Sequence, residues 1–277
     1  MIFFQTALQC EARPFISRLS LKKDRDIKKF QVYSGENCKL IVSGVGKVRA
    51  ATGTSFLLTR FEAGPADFFV NIGICGSKSP HVKKGETVFI NQVVDMDTGR
   101  SFFSDMILKH PFKEGAVETH AQVVSMEAGG ESRCEYVDME ASGAFEAASF
   151  FLPPHRIFII KTVFDHLSGE KYRSKEVEAV MNQQASLIIE WLMEAPLHLL
   201  ERKFPLNTEE ESLIAALSRN LRLSETLSLA LRRLFLYKKL RDSDIRKALG
   251  IYLTKKVGSK QEGKKIFEKI RREIAEF

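Results

Sequence analysis

The 277 residues carry a net charge of +7 and 44% of them are apolar, which suits a globular chain with a sizeable core. No stretch of about 18 apolar residues occurs, so neither a transmembrane helix nor a membrane partner is expected. The four cysteines (Cys10, Cys38, Cys75, Cys134) and six histidines form no CxxC, HExxH or clustered ligand pattern; this fits reduced thiols in a cytoplasm, and no metal site is predicted.

The start, MIFFQTALQCEARPF, lacks a basic n-region and reads as a first strand over Phe3–Leu8 rather than a signal peptide. Glu11–Leu19 is expected to be helical. Lys39–Ser43 is an apolar, β-branched strand ending in Gly44-Val45-Gly46, and Val48–Phe61 has helical composition. Asp67–Ile72 is a buried strand type that should end at Gly73, and Glu86–Val94 is another. Between Asp97 and Val137 the pattern thins to a Gly-Arg turn, Phe102-Phe103, a polar run around Pro111, an expected strand over Gln122–Ser125 and the run Glu127-Ala128-Gly129-Gly130. Val137–Phe151 has apolar residues at helical spacing and stops at Pro153-Pro154; Arg156–Phe164 is a strong strand ending at Asp165; Lys171–Glu194 is a long helix. Continuous apolar strands alternating with helices predict an α/β protein with a central mixed β-sheet flanked by helices.

Four blocks in order carry the chemistry: Ala7-Leu8-Gln9-Cys10-Glu11, Ser43-Gly44-Val45-Gly46-Lys47, Asn71-Ile72-Gly73-Ile74-Cys75-Gly76, and Val137-Asp138-Met139-Glu140-Ala141 with Phe164-Asp165. Together they resemble the purine nucleoside phosphorylase and methylthioadenosine/S-adenosylhomocysteine nucleosidase superfamily over roughly residues 1–195. The reaction explains the residue types. Breaking an N-glycosidic bond puts oxocarbenium character on the ribose, so an acid must protonate the leaving purine and a carboxylate must activate water. A third carboxylate on the ribose hydroxyls would hold the ring.

The resemblance implies roles one by one. Glu11 matches the water-activating glutamate, Glu140 the ribose-binding glutamate, Met139 the methionine against the sugar, and Asp165 the aspartate that protonates the purine at N7. Gly76 sits beside the base, with Cys75 before it. For each there is a plainer reading: Glu11 and Asp165 as caps, Met139 and Cys75 as core residues. His166 is set aside because neighbours on a strand point to opposite faces. Phe102 or Phe103 is a candidate for lining a 5′ pocket, in the same protomer or across a dimer interface.

No cofactor is implied, and by resemblance the chain should be at least a dimer. Phosphorylases of the superfamily carry an arginine where this chain has Asn71, and a basic glycine-bearing loop where it has Gln9-Cys10-Glu11. The expected activity is therefore hydrolysis of a purine nucleoside, in particular a 5′-modified adenosine, with a phosphorylase as the alternative. Phe164 replaces a small hydroxyl residue and Lys161 a common arginine. The short 97–137 segment keeps open a protein that binds a nucleoside without cleaving it.

Pro196 and Pro205 suggest a boundary between a catalytic domain over 1–200 and a basic helical domain over 206–277. From Glu201 to the end there are nineteen Lys and Arg against eleven Asp and Glu, so the whole-chain excess belongs to this part. Asn207-Thr208 before three glutamates marks a capped helix start, and helices are expected over Glu209–Asn220, Ser224–Leu240, Ser243–Tyr252 and Gln261–Ala275. Asp242–Val257 also reads as helix-turn-helix with Gly250 in the turn. The basic face suits a protein or oligomer contact, or a nucleic-acid contact, with a merely solvated face as the plain alternative.

Overall fold

A computed structural model describes residues 1–125, 132–168, 172–194, 206–241 and 246–275. The chain divides into two units, Met1–Leu200 and Glu201–Phe277.

The first unit contains, in order, β1 (Ile2–Thr6), α1 (Gln9–Arg18), β2 (Lys22–Lys23), β3 (Gln31–Ser34), β4 (Cys38–Val42), α2 (Lys47–Arg60), β5 (Phe68–Ser77), β6 (Thr87–Asp95), β7 (Ser101–Phe103), β8 (Lys113–Thr119), β9 (Tyr136–Asp138), α3 (Ala141–Ser149), β10 (Ile157–Asp165) and α4 (Ser174–Glu194). All the strands join one mixed sheet. The strands β5, β10, β6, β8 and β9 pair in a closed circuit, and β1, β4, β3 and β2 extend the sheet outward from β5.

Both faces of the sheet are covered, which is why its central strands carry consecutive apolar residues such as Phe3-Phe4, Phe69-Val70 and Ile157–Ile160. Phe3, Phe69, Ile157 and Ile159 face the side of α2 and α3, where Ala50, Leu57, Ala144 and Phe145 pack. Their neighbours Phe4, Val70, Phe158 and Ile160 face α1 and α4, against Phe15, Met181 and Ile188. Each such side chain contributes about 1.5–3 kcal/mol when fully buried. Trp191 closes the α4 side, edge-on to Phe89 at 5.4 Å, and its indole N–H donates to the Lys109 carbonyl at 2.9 Å.

One feature of β5 positions the site. Its first half pairs with β1, through Ile2–Gln5 against Phe68–Asn71. Its last two residues pair with β9, through Gly76 and Ser77. Between Asn71 and Gly76 neither strand takes up that edge, so the backbone there needs other partners. The strands β1, β4, β5 and β10 are mutually parallel, so the split opens at their carboxyl ends, where α/β sheets place ligands.

The second unit is α5 (Thr208–Asn220), α6 (Glu225–Arg241), α7 (Arg246–Leu253) and α8 (Lys260–Ala275), around a core that includes Leu217, Leu221, Leu231, Phe235, Phe267 and Ile270. Asn207 caps α5: its Oδ1 accepts from the Glu210 N–H and Glu210 Oε2 accepts from the Asn207 N–H, each at 2.9 Å.

Several sequence expectations need correction. The strand expected to end at Gly73 runs on to Ser77. The helix expected over Val137–Phe151 is a strand, β9, followed by the shorter α3. Residues 122–125 are not a strand. Gly250 lies inside α7, not in a turn, which removes the helix-turn-helix reading over Asp242–Val257. The strands β3, β7 and β8 were not anticipated. The Glu127–Gly130 run, Pro196 and Pro205 lie outside the described residues.

Candidate active site

A cavity of 640 Å³ opens at the split, lined among others by Glu11, Cys75, Gly76, Met139, Glu140 and Asp165. All six residues singled out from the sequence therefore meet in one place, although they come from α1, β5, the β9–α3 junction and β10.

Glu11 is the third residue of α1, and its carboxylate turns back over the start of that helix. Oε2 accepts from the backbone N–H groups of Ala7 at 3.0 Å and Leu8 at 2.8 Å. Oε1 accepts from the Ile74 N–H at 2.9 Å, a donor on the uncovered edge of β5. The capping role weighed from the sequence is thus real, and the same side chain also lines the cavity. A Cβ at position 73 would lie 2.9 Å from Glu11 Oε1, so a glycine there gives the carboxylate room. Burial pushes the Glu11 carboxyl above its ordinary range, against the pull of these N–H donors and of Lys161.

Glu140 sits at the N-terminus of α3, 8% exposed. Its Oε1 accepts from the Gly46 N–H at 2.8 Å, tying it to the glycine loop after β4. Burial and then the neighbouring Asp138 charge push its carboxyl up to about 7.

Beneath these two groups lies a buried ion pair that the sequence reading did not find. Lys161 Nζ is 2.7 Å from Asp138 Oδ2, with side chains 1% and 0% exposed. Burial pulls the Lys161 ammonium down, but the charges of Asp138 and Glu140 outweigh it and hold the group above its ordinary range. Asp138 is further satisfied by the Thr119 hydroxyl at 2.7 Å and by the N–H groups of Glu140 at 3.2 Å and Ala141 at 2.8 Å. It therefore fixes the backbone that carries Glu140. The signal available in the sequence was a lysine inside an otherwise apolar strand, which must find a charge partner.

Asp165 ends β10, after an irregularity in the β5 pairing between Val163 and Asp165 that leaves Phe164 unmatched. Such a bulge re-aims the residues after it. Asp165 Oδ1 accepts from the Leu167 N–H at 2.7 Å. Leu167, buried and with φ of 56°, is in the left-handed region that a branched residue rarely adopts. A Cβ at position 76 would come within 2.3 Å of Leu167 Cδ2 and 3.1 Å of Asp165 Oδ1, so Gly76 is required by this close approach. Burial pushes the Cys75 thiol far up, leaving it a neutral wall residue.

Other groups are placed elsewhere. Neither Phe102 nor Phe103 is among the lining residues; Phe102 packs on Phe145 at 5.5 Å and Phe103 is 59% exposed. His166 is engaged with the Val82 carbonyl at 2.9 Å. Arg13 turns outward to Glu178 at 2.8 Å. Asn71 is buried and donates to Gln5, which donates to Ser43 Oγ at 2.6 Å, a row of neutral side chains. Tyr172, Val123 and Val124 line the cavity without having been anticipated. None of the described lining residues is a lysine or arginine, and among the described residues no group of His, Cys, Asp and Glu could hold a metal ion.

The family model described as the Phosphorylase superfamily matches residues 7–124. The chain is similar to a 5′-methylthioadenosine/S-adenosylhomocysteine nucleosidase of Marinomonas sp., 27% identical over 151 residues, 53% of this chain and 63% of that protein. A nucleosidase of the same name from Exiguobacterium sp. is 28% identical over 124 residues, 43% of this chain and 52% of its own. The chain thus matches less than two thirds of the length of these curated relatives. Among solved structures, the S. pneumoniae nucleosidase of that name with a transition-state inhibitor superposes with a TM-score of 0.57 at 18% identity, covering 69% of this chain and 97% of that one. A futalosine hydrolase mutant of Helicobacter pylori gives 0.57 at 18%, covering 70% and 98%. At such identities the structures share the fold. The family model over residues 7–124, the curated relatives and the shared fold make the first unit similar to the nucleoside phosphorylase and nucleosidase superfamily.

Proposed function

We propose that the first unit hydrolyses the N-glycosidic bond of a purine nucleoside, a 5′-modified adenosine of the methylthioadenosine or S-adenosylhomocysteine kind, and releases the base. The observation that carries this reading is the meeting of Glu11, Glu140 and Asp165 in one cavity that has no cation among its described lining residues. The substrate class comes from the names of the curated relatives.

In this reading the bond from C1′ to the purine breaks with its electron pair moving into the base, and Asp165 delivers a proton to N7. The Leu167 N–H engages Oδ1 and leaves Oδ2 free of that bond. Water adds at C1′ and its proton passes to Glu11. A carboxylate offers about four acceptor sites; three are filled by Ala7, Leu8 and Ile74, so one remains for water. Glu140 accepts from the ribose hydroxyls and opposes the positive charge developing on the ring. The buried Lys161–Asp138 pair holds position below, with Asp138 also at the border of the cavity. Val123, Val124 and Leu167 offer the apolar wall for the base, and Tyr172 adds an aromatic surface.

Water rather than phosphate as nucleophile is supported by the neutral Gln5–Asn71–Ser43 row and by the outward course of Arg13, since a phosphate pocket needs arginines or their equivalent. The unit is expected to act as at least a dimer, which light scattering would test. The activity test is base release from methylthioadenosine, S-adenosylhomocysteine, 5′-deoxyadenosine, adenosine, inosine and futalosine, with and without phosphate. Phosphate-independent release from a 5′-modified adenosine is the expected result. Release only with phosphate would replace the hydrolase with a phosphorylase, and no release from any of them would remove the enzyme.

A further inference from the structure

The second unit carries the positive charge of the chain, and the structure gathers much of it at one corner. There the C-terminus of α5, the turn over 254–259 and the start of α8 are joined closely. The Val257 N–H donates to the Asn220 carbonyl at 3.3 Å. Asn220 Nδ2 donates to the Leu253 carbonyl at 2.8 Å, and Arg222 Nη1 to the Gly258 carbonyl at 2.9 Å. A Cβ at Gly263 would fall 1.8 Å from the Leu221 carbonyl oxygen, so α8 lies against the end of α5. This junction brings the exposed cations Arg219, Arg222, Lys255, Lys256, Lys260 and Lys264 to neighbouring positions. Lys265 continues them along α8. Two acids lie close in sequence, Glu225 and Glu262, and Glu262 accepts from the Gly258 N–H at 3.1 Å.

The chemistry of the surface selects its partner. The apolar side of α8 is spent on the core, with Gly263, Phe267, Ile270 and Ile274 all buried. No apolar face remains on it to enter a lipid interface, which an amphipathic membrane helix requires. Among the described residues of this unit, the exposed large apolar ones, Leu229, Tyr237 and Ile251, are on α6 and α7. Protein interfaces have apolar centres and few lysines, and this corner has the opposite composition. It also lacks the aromatic platform that single strands use. Fixed phosphates along a duplex match what is present, a set of solvated cations on a rigid helical corner.

We infer that the corner formed by the end of α5, the 254–259 turn and the first turns of α8 binds the phosphate backbone of duplex nucleic acid without reading its sequence. The inference is independent of the cavity chemistry in the first unit.

The test uses the full chain and a fluorescent duplex DNA of mixed sequence, titrated at several salt concentrations. With about six phosphate contacts, affinity falls roughly a thousandfold between about 50 and 200 mM salt. Lys260→Gln/Lys264→Gln/Lys265→Gln keeps good helix formers at exposed positions; it weakens binding at least tenfold and lowers the slope of log affinity against log salt by about 3. The matched control Lys22→Gln/Lys23→Gln/Lys28→Gln removes the same charge from exposed positions in the first unit and leaves binding unchanged. Base release is the same in all three proteins. The inference is overturned by absence of duplex binding at low salt, by equal loss in both triple variants, or by binding to phosphatidylserine vesicles in preference to the duplex.

Discussion

Replacing Lys161 by methionine keeps the length and apolar stem of the side chain and deletes only its charge. Lys161 and Asp138 are 2.7 Å apart and essentially inaccessible to water. Removing one member of such a pair costs about 3–5 kcal/mol, because the remaining charge stays buried. The Thr119 hydroxyl and two backbone N–H groups still hold Asp138, so the loss falls near the lower end, about 3 kcal/mol.

The loss also depends on pH. Glu140 titrates near 4.5 ordinarily and near 7 in the fold. Between those values the folded chain holds a proton the unfolded chain has released, so this group's contribution to stability declines as pH rises through that window. Lys161 opposes the rise, and without it the Glu140 carboxyl moves higher still. The Lys161→Met deficit should therefore be larger at pH values above the window than within it. Urea unfolding of both proteins across this range measures it. Lys161→Met/Asp138→Asn should lose less than the sum of the single variants, since the second change removes the orphaned charge. A deficit below about 1 kcal/mol, or one equal across the range, would refute the buried-pair account.

Further consequences follow from the same geometry. Gly73→Ala places a methyl 2.9 Å from Glu11 Oε1; base release should fall while the unfolding midpoint changes little, and unchanged turnover would separate Glu11 from the chemistry. The Glu11 carboxyl, raised by burial, must be ionised to accept a proton, so kcat/KM should rise with pH along a limb above the ordinary carboxylate range; a flat profile there would contradict its role as base. Gly263→Ala sets a Cβ 1.8 Å from a backbone oxygen, and such overpacking typically costs about 1–3 kcal/mol; hydrogen exchange should report faster opening of the second unit alone.

The strands at the heart of the sheet were legible because each buries both faces, so Phe3-Phe4, Phe69-Val70 and Ile157–Ile160 read as unbroken apolar runs. The strand β8 was not, since it carries glycine and two glutamates. Glu118 is nevertheless fully buried, because its Oε1 accepts from the Arg133 and Cys134 N–H groups at 2.7 and 3.0 Å. Val137 and Asp138 blended into the helical period of α3, and only pairing of Val137 to Gly76 and Glu118 and of Asp138 to Thr119 makes them a strand. The residues meeting at the cavity were identified by family resemblance; the local pattern carried no sign of the split edge of β5 that holds Glu11. Phe164 shows a related limit: a bulge depends on the partner strand, and the sequence of β10 alone gives no hint of it. Tyr172 falls inside the helix expected over Lys171–Glu194, but α4 begins only at Ser174, and the place of Tyr172 in the cavity follows from tertiary structure.

On the proposed reading, Asp165 serves as an acid in a cavity built for cleavage rather than for binding alone. Turnover of the best nucleoside by wild type and Asp165→Asn, with calorimetric binding of the same compound to both, tests it most directly. With Asp165 as the acid, the substitution lowers kcat by about 10²–10⁴ with binding largely retained. Equal turnover by the two proteins, or binding without turnover in either, would contradict it.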